Sequence, residues 1–340
     1  MIKFNSKIFF LLGFIFIGKI NFGQDIHFSQ YGMSPINTNP AMTGLYDGDI
    51  RAGAIYRSQW AAVPIPYTTT SFFGDMRFGQ NKLGSDRLGV GFVFNYDVAG
   101  DSKYGTTQIY LPISYVKKMN KDSSLLMSLS LQPGISSTGF KTQALTFDTQ
   151  YDGYQYNAAL PSQENFYATN QTKFDLNSGA MFQYNIVQRG YVQAGVSIFH
   201  MTTPKVSYFN NSNINIDMKT NSYAMINYPV AQMLDASVEL LYSSQGKYHE
   251  LVTGANLKYI FPTKYYQTFF LGAYVRPKDA FIARVGMDYK TWKFSMAYDV
   301  NTSAFKAATN RKGAIEFALI YIFKKEIPFI AKKRVCPIYM

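Results

Sequence analysis

Hydrophobic and polar residues alternate along most of the chain with a period of two. Between Leu125 and Ile135, the odd positions are Leu, Met, Leu, Leu, Pro and Ile, whereas the even positions from Ser128 onward are Ser, Ser, Gln and Gly. The segment 234–242 repeats the alternation, with Asp, Ser and Glu on its polar side. Successive side chains of a β-strand point to opposite faces, so the pattern predicts strands with one apolar and one polar face.

Charged residues near the C-terminus follow the same alternation. Arg284 and Asp288 lie between apolar neighbours, and Lys293 and Asp299 do so in the next segment. In a membrane barrel the apolar positions would face lipid and the charged positions would face the lumen. We therefore expect these four side chains to point inward.

The alternation predicts an all-β fold, namely an antiparallel, up-and-down transmembrane β-barrel of about 14 strands over residues 48–323. A strand of about 10 residues crosses the hydrocarbon when tilted, and bacterial barrels favour even strand numbers. After the N-terminal segment no run approaches 18 apolar residues, so the sequence does not predict membrane helices. A soluble sandwich or propeller also alternates and is the rival fold. The predicted strands are 48–58, 66–77, 86–98, 104–116, 124–136, 173–185, 190–200, 219–229, 234–244, 248–259, 265–276, 280–289, 291–301 and 313–323.

Connection lengths predict the orientation of the barrel, because periplasmic turns are short and outward loops are long. The two longest connections are Ser137 to Thr172 and Met201 to Met218, and they fall at the same end. We expect these loops outside the cell and both termini in the periplasm.

The N-terminus has the order of a secretory signal peptide. Lys3 and Lys7 precede a short apolar stretch, and a more polar segment follows it. We predict a signal peptide over residues 1–23, cleaved between Gly23 and Gln24. The remaining predicted parts are a periplasmic lead-in at 24–47 and a basic periplasmic tail at 324–340.

Composition agrees with an exported membrane barrel. The aromatic fraction is 17% although mean hydropathy is only −0.11, as expected where rings form interfacial girdles. The formal charge is +12, but the cations are scattered, so we expect outer-membrane lipid and no nucleic acid as partner. Cys336 is the only cysteine, which leaves no internal disulfide.

No pattern in the sequence indicates catalysis. The three histidines, His27, His200 and His249, are not spaced as parts of a catalytic or metal site. For His200 we favour a capped strand end with one hydrogen bond over a catalytic role. We therefore expect no enzyme activity, no metal and no cofactor.

Several separated motifs occur together in order. The start of the predicted mature chain reads Asp25-Ile26-His27-Phe28-Ser29-Gln30-Tyr31, followed by Pro35, Asn39-Pro40-Ala41, Gly44 and Tyr56-Arg57-Ser58-Gln59-Trp60. Later come Tyr274-Val275-Arg276-Pro277, Tyr298-Asp299-Val300-Asn301, Gly313-Ala314-Ile315-Glu316-Phe317 and Cys336-Pro337. Over residues 24–340 the chain resembles the PorP/SprF family of the Bacteroidetes type IX secretion system. Gly32-Met33-Ser34 and Met42 depart from the family pattern.

This resemblance implies an outer-membrane accessory protein of the type IX secretion and gliding-motility machinery. Its implied partners are a surface adhesin with a type B C-terminal sorting domain, the type IX translocon and periplasmic gliding components. The hypothesis is that the barrel helps to secrete or anchor that adhesin. A passive porin-like channel for small solutes is the alternative.

Aromatic residues suggest where a partner would bind. The loop from Ser137 to Thr172 is rich in rings, which are enriched at protein interfaces, although they could instead pack the loop onto the barrel rim. Arg57 and Trp60 flank an outward turn, where partner contact competes with interfacial anchoring. The candidate partner-binding residues are Arg57, Trp60, Tyr151, Tyr154, Tyr156, Phe166 and Tyr167.

Overall fold

The computed structural model describes residues 25–61, 65–79, 86–120, 122, 124–208, 214–304 and 306–324. The predicted signal peptide, its cleavage site at Gly23 and Gln24, and residues 325–340 of the predicted tail lie outside these residues. In the described part of the chain, no helix is long and apolar enough to cross a membrane. The strands are β1 (Ile50–Gln59), β2 (Tyr67–Phe78), β3 (Arg87–Ala99), β4 (Tyr104–Tyr110), β5 (Ile113–Lys118), β6 (Leu125–Gly139), β7 (Asn170–Val187), β8 (Gly190–Phe199), β9 (Lys219–Ala231), β10 (Leu234–Gln245), β11 (Tyr248–Ile260), β12 (Gln267–Arg276), β13 (Ala280–Tyr289), β14 (Trp292–Asn301) and β15 (Lys312–Phe323).

The strands close into a single antiparallel barrel. Each strand pairs with its neighbours in chain order, and β15 pairs with β1 from Ile50↔Phe323 to Gln59↔Ala314. β4 and β5 are two halves of one barrel strand, because both pair with β3 and with β6. The barrel therefore has 14 strands, and the predicted fold, strand number and antiparallel order are confirmed. Closure gives the backbone N–H and C=O groups of every strand hydrogen-bond partners, which lipid could not provide.

The break between β4 and β5 was not predicted, since the sequence reads as one strand over 104–116. It falls at Leu111 and Pro112. A proline has no amide N–H and cannot donate to the ladder, so pairing is interrupted there. The carbonyl of Pro112 still accepts from the amide of Gly91 at 2.9 Å, and Leu111 donates to Pro133 O at 2.9 Å. The wall stays continuous through these two bonds.

Apolar side chains face outward and polar ones face the lumen, as the alternation predicts. On β6, Leu129 and Leu131 are 49% and 56% exposed, whereas Ser128 and Gln132 are buried. On β14 the same division puts Phe294, Met296 and Tyr298 outside and Ser295 and Asp299 inside. The exposed residues form an apolar belt suited to hydrocarbon. The predicted inward direction of Arg284, Asp288, Lys293 and Asp299 is confirmed by their lumenal contacts.

The two ends of the barrel differ in their connections. One end, here the long-loop end, carries the connections 140–169 and 200–218 and, between β14 and β15, a short helix (Lys306–Thr309). The other, the short-turn end, carries two-residue turns at 188–189, 232–233 and 290–291. Both Ile50 and Phe323 lie at the short-turn end, so the barrel strands begin and finish there.

Residues 25–45 lie inside the barrel and form a plug. They contain a four-residue helix (Pro35–Thr38) between 3-10 turns at Tyr31–Met33 and Pro40–Met42. Ile36 and Ala41 are fully buried, and Tyr31 packs edge-on against Tyr223 and Tyr274 of the wall. The expected lead-in ahead of the barrel is therefore wrong for these residues. The polar groups of the plug form hydrogen bonds with lumenal groups of the wall, and its apolar groups fill space that the barrel alone would leave open.

Candidate functional site

Charged side chains hold the plug to the seam where the barrel closes. Glu316 of β15 accepts hydrogen bonds from the backbone amides of Ser29 at 2.7 Å and Gln30 at 2.9 Å. Arg57 of β1 forms ion pairs with Glu316 and with Asp299, the latter at 3.2 Å. The Ser29 hydroxyl accepts from Arg57 at 2.8 Å and donates to Asp299 at 2.7 Å. Buried charges need such partners, and here the partners include the plug.

Arg276 of β12 joins the same network from the other side. Its Nη2 donates to the hydroxyl of Ser29 at 2.9 Å, and its Nη1 lies 3.0 Å from Asp279 and 3.5 Å from Asp299. Two guanidinium groups thus converge on one plug serine. Ser29 is buried in contact with strands β1, β12 and β14.

Asn39 holds the middle of the plug, because its side chain lies close to the backbone of the barrel wall. Its Nδ2 donates to Ala180 O of β7 at 3.0 Å and Val196 O of β8 at 3.1 Å, and its Oδ1 accepts from the amide of Ala41. Glycines allow this approach: a Cβ on Gly179 would overlap Oδ1 of Asn39, and one on Gly195 would lie 2.9 Å from Nδ2. Side chains at these positions would exclude Asn39.

The plug is also bonded to strands at other positions around the bore. Ser197 of β8 and Asn221 of β9 donate to Thr38 O at 2.9 and 3.0 Å. Asp75 of β2 accepts from the amide of Gly44 at 2.8 Å while paired with Arg51. Because these bonds surround the plug, it is fixed across the lumen rather than attached at one edge.

Asp25, the first described residue of the plug, lies at the long-loop end beside His200. Nε2 of His200 lies 3.3 Å from Asp25, and its Nδ1 lies 2.7 Å from Asp175 of β7. Lys219 approaches Asp25 at 3.6 Å and donates to Ile26 O at 2.9 Å. His200 is therefore more than a capped strand end with one bond, because it joins two carboxylates.

The charges around His200 determine its protonation. Burial by itself lowers the pKa of His200, but the Asp25 charge and the hydrogen bonds with Asp175 and Asp25 outweigh it and raise the pKa to about 9. For Asp25, burial opposes ionisation, yet Lys219 and His200 hold the pKa of its carboxyl well below the usual range. His200 is thus a cation between two anions at neutral pH.

His27 has the opposite behaviour. Desolvation lowers its pKa to about 4 against the opposing charge of Glu250, and Arg57, Arg276 and Lys219 lower it further. The two plug-associated imidazoles therefore differ in charge at neutral pH, since His27 is neutral and His200 is protonated. Within the described residues, no group of three or more His, Cys, Asp or Glu side chains could hold a metal ion.

The long loop 140–169 presents four of the five predicted rings to solvent. Tyr154 is 93% exposed and Tyr167 is 73% exposed. Tyr154 is the tip of a tight turn, in which Asp152 accepts from the amides of Tyr154 and Gln155 at 2.9 Å each, and a bridge between Tyr151 and Tyr156 closes the turn. These hydrogen bonds lower the pKa of Asp152. The structure therefore projects this group of tyrosines from the barrel.

Phe166 has a different environment from the other rings. It packs edge-on against Phe140 at 5.1 Å, and Phe140 in turn packs against Tyr208 of the neighbouring loop at 4.9 Å. Tyr208 also contacts Tyr104 at the start of β4. Phe166 thus belongs to an aromatic cluster that fastens the long loop to the rim.

Arg57 and Trp60 do not form the joint surface that their spacing suggested. Arg57 is 1% exposed, so partner contact and interfacial snorkelling are both wrong for it; its partners are lumenal. Trp60 is half-buried at the long-loop end, with its ring edge-on to Tyr67 at 5.2 Å. Successive side chains of a strand point to opposite faces, so Arg57 points into the lumen, whereas Trp60, three positions later, lies at the rim.

The sequence did not reveal the plug contacts of Asp25, Ser29, Gln30 and Asn39. One available signal was Asn39 directly before Pro40, which is typical of a helical turn and unusual for an unattached lead-in. The wall partners of these residues lie far away in the sequence, so their pairing could not be foreseen.

Comparisons with known proteins agree with this architecture. Residues 20–321 match the family model described as type IX secretion system membrane protein PorP/SprF. A search of curated proteins gave no match. The crystal structure of the Ralstonia pickettii toluene transporter TbuX is similar with a TM-score of 0.52 and 12% identity, covering 87% of this chain and 94% of that one. A TodX monoaromatic hydrocarbon channel with the deltaS2 mutation has a TM-score of 0.51 and 7% identity, covering 87% and 95%. At such identities the likeness shows the fold.

Proposed function

Because the chain belongs to the PorP/SprF family of type IX secretion system membrane proteins, we propose that it is an accessory that helps to secrete or anchor a surface adhesin with a type B C-terminal sorting domain. The family match over most of the chain carries this proposal. The fold and the family are those of secretion and transport barrels in the outer membrane. Translocon and periplasmic gliding components are the proposed further partners.

The exposed tyrosines of the long loop support a binding role at the long-loop end. Loops of this length are outward in bacterial barrels, and exposed rings that lose water on binding contribute much of the energy of interfaces. Tyr151, Tyr154, Tyr156 and Tyr167 remain the proposed contacts. Phe166 is assigned to the support of the loop, and Trp60 is retained as a proposed rim contact.

An open porin is less well supported than the secretion role. The lumenal charges Arg284, Asp288, Lys293 and Asp299 suit a polar bore. However, residues 25–45 cross that bore and are bonded around it. Passage of solutes would require the plug to move.

The decisive experiment is deletion of residues 140–170, followed by Tyr154→Ser/Tyr167→Ser in an intact loop. Both proteins should assemble as heat-modifiable barrels, while adhesin detected on intact cells by protease shaving should fall severalfold. The matched control is Tyr184→Ser/Tyr265→Ser, which removes two exposed rings at the short-turn end. Normal surface display in the deletion strain would refute the loop as the binding surface.

A further inference from the structure

A large cavity lies between the plug and the short-turn end of the barrel. Its volume is about 1110 Å³, and the plug residues Tyr31, Met33 and Met42 form its inner wall. The remaining wall comes from lumenal strand positions between the plug and the short-turn end and from turns at that end. We name this space the vestibule. It lies at the opposite end from the proposed adhesin surface and is unrelated to that proposal.

The vestibule is strongly basic. Ten cationic residues line it, against the three acidic residues Asp47, Glu239 and Asp288. The cationic residues are Arg51, Arg77, Arg87, Lys118, Arg189, Lys258, Arg284, Lys290, Lys293 and Lys324. A cavity lined mostly by one sign of charge concentrates ions of the opposite sign.

Part of this positive charge is neutralised, because Arg51, Arg77, Arg189 and Lys324 form ion pairs with Asp75, Asp49, Asp235 and Asp47 respectively. Other cations of the vestibule are paired incompletely or not at all. Lys258 and Lys293 share one carboxylate, that of Asp288, at 3.1 and 3.4 Å. Neither Arg87 nor Lys118 forms an ion pair with a described carboxylate, and the buried Nε of Arg87 has no hydrogen-bond partner among the described residues. The side chains of Lys258 and Lys293 are 29% and 33% exposed. These cations are therefore available to a ligand.

The spacing of the cations favours an extended ligand over a small anion. They come from separate parts of the wall: Arg77 from β2, Arg87 from β3, Lys118 from β5, Lys258 from β11 and Lys293 from β14. A single phosphate needs donors that converge on one point. Charges spread around a bore of this volume instead match several anionic groups along one chain.

The lining also contains groups that suit a polypeptide. Carboxamides of Gln183, Asn185 and Asn227 offer donors and acceptors for a main chain, and Tyr191 and Tyr266 add aromatic surface. Lipid headgroups lie outside the barrel wall. The chain's own residues 325–340 carry four cations and one acid, so like charges would repel that segment.

We propose that the vestibule binds an acidic segment of a partner polypeptide, which enters from the short-turn end. By the rule of loop lengths this end faces the periplasm. The acidic side chains pair with Arg87, Lys118 and the two lysines that share Asp288. The plug closes the inner end of the site.

The test uses the purified full-length chain in detergent, with fluorescence anisotropy of a labelled short poly-glutamate peptide. A poly-glutamine peptide of equal length is the probe control. We expect saturable binding of poly-glutamate that weakens as salt is raised, and no binding of poly-glutamine. Arg87→Gln/Lys118→Gln should weaken binding roughly fivefold. Lys205→Gln/Lys278→Gln removes two exposed cations at the long-loop end and should leave binding unchanged.

Three results would overturn the proposal. The first is absence of poly-glutamate binding to the folded barrel. The second is equal weakening by both double variants, which would mean diffuse surface attraction. The third is complete competition by inorganic phosphate at the concentration of the peptide, which would mean a small-anion site. Adhesin display on cells reports only on the long loop, so the two proposals can fail independently.

Discussion

Arg57 and Glu316 are direct neighbours across the seam where β1 and β15 close the barrel, and their ion pair also contacts the plug. Glu316 accepts two backbone amides of the plug, and Arg57 donates to the hydroxyl of Ser29. Closure of the wall and docking of the plug are thus joined in one buried cluster. Since removing one member leaves unpaired buried charge, the cluster should couple the two events energetically.

Replacing Arg57 by methionine should destabilise the barrel by about 3–5 kcal/mol, because Glu316 and Asp299 lose a buried partner. The measurement is the free energy of urea unfolding in detergent, supported by the temperature of the heat-modifiability shift. Lys306→Met removes an exposed cation at the same end and should have little effect. Adding Glu316→Gln to Arg57→Met should recover part of the loss. A neutral effect of Arg57→Met alone would contradict the assigned role of the pair.

Replacing Gly179 by alanine should loosen the plug without opening the barrel. The added Cβ would overlap Oδ1 of Asn39, so overpacking should cost about 1–3 kcal/mol. Protease cleavage within residues 25–45 of the folded barrel would report the change. Gly74→Ala is the matched control, because the nearest atom to its added Cβ is Arg51 O at 3.8 Å. Similar cleavage of both variants would contradict the Asn39 contact.

Docking of the N-terminal part of the plug should weaken at alkaline pH. The pKa of His200 is raised from 6.5 to about 9, so its ion pairs stabilise the docked plug fully below pH 6.5 and are lost as pH rises through about 9. The carboxyl of Asp25 stays ionised throughout this range, because its pKa lies below the usual value.

The test of this pH dependence is thiol labelling of Ile26→Cys in a Cys336→Ser background. At each pH, the labelling rate of the variant that also carries His200→Gln is divided by the rate of the variant without it. This ratio cancels the pH dependence of the thiol reaction itself. This ratio should be well above one below pH 6.5 and should approach one above about pH 9. His249→Gln is the control, since His249 contacts Tyr242 at the exposed rim. A ratio that does not change with pH would exclude His200 as the titrating group.

Phe166 and Tyr154 should have separable effects on the long loop. Phe166→Ala removes a ring from the cluster with Phe140 and should increase protease cleavage within 140–169. Tyr154→Ala removes an almost fully exposed ring and should leave cleavage unchanged. On cells, Tyr154→Ala should reduce adhesin display even though the loop remains ordered. Equal cleavage of the two variants would mean that Phe166 does not anchor the loop.

The amino-acid sequence by itself determined the wall of the barrel. Alternation is a local property, so the sequence of each strand indicates which of its side chains face lipid. All 14 predicted strands are present, with small shifts at their ends. Strand order also followed, because short connections join antiparallel neighbours. The exception was Pro112, whose missing amide divides one strand into two.

The tertiary structure alone decided what fills the wall. Residues 25–45 contain no alternation that indicates an interior position. Some of their partners are distant in the sequence: Ala180 is 141 residues from Asn39, and Glu316 is 287 residues from Ser29. Arg57 looked like a rim residue until closure of the barrel brought Asp299 and Glu316 beside it. Such contacts depend on the closed ring placing distant strands around one bore, and no local pattern carries that information.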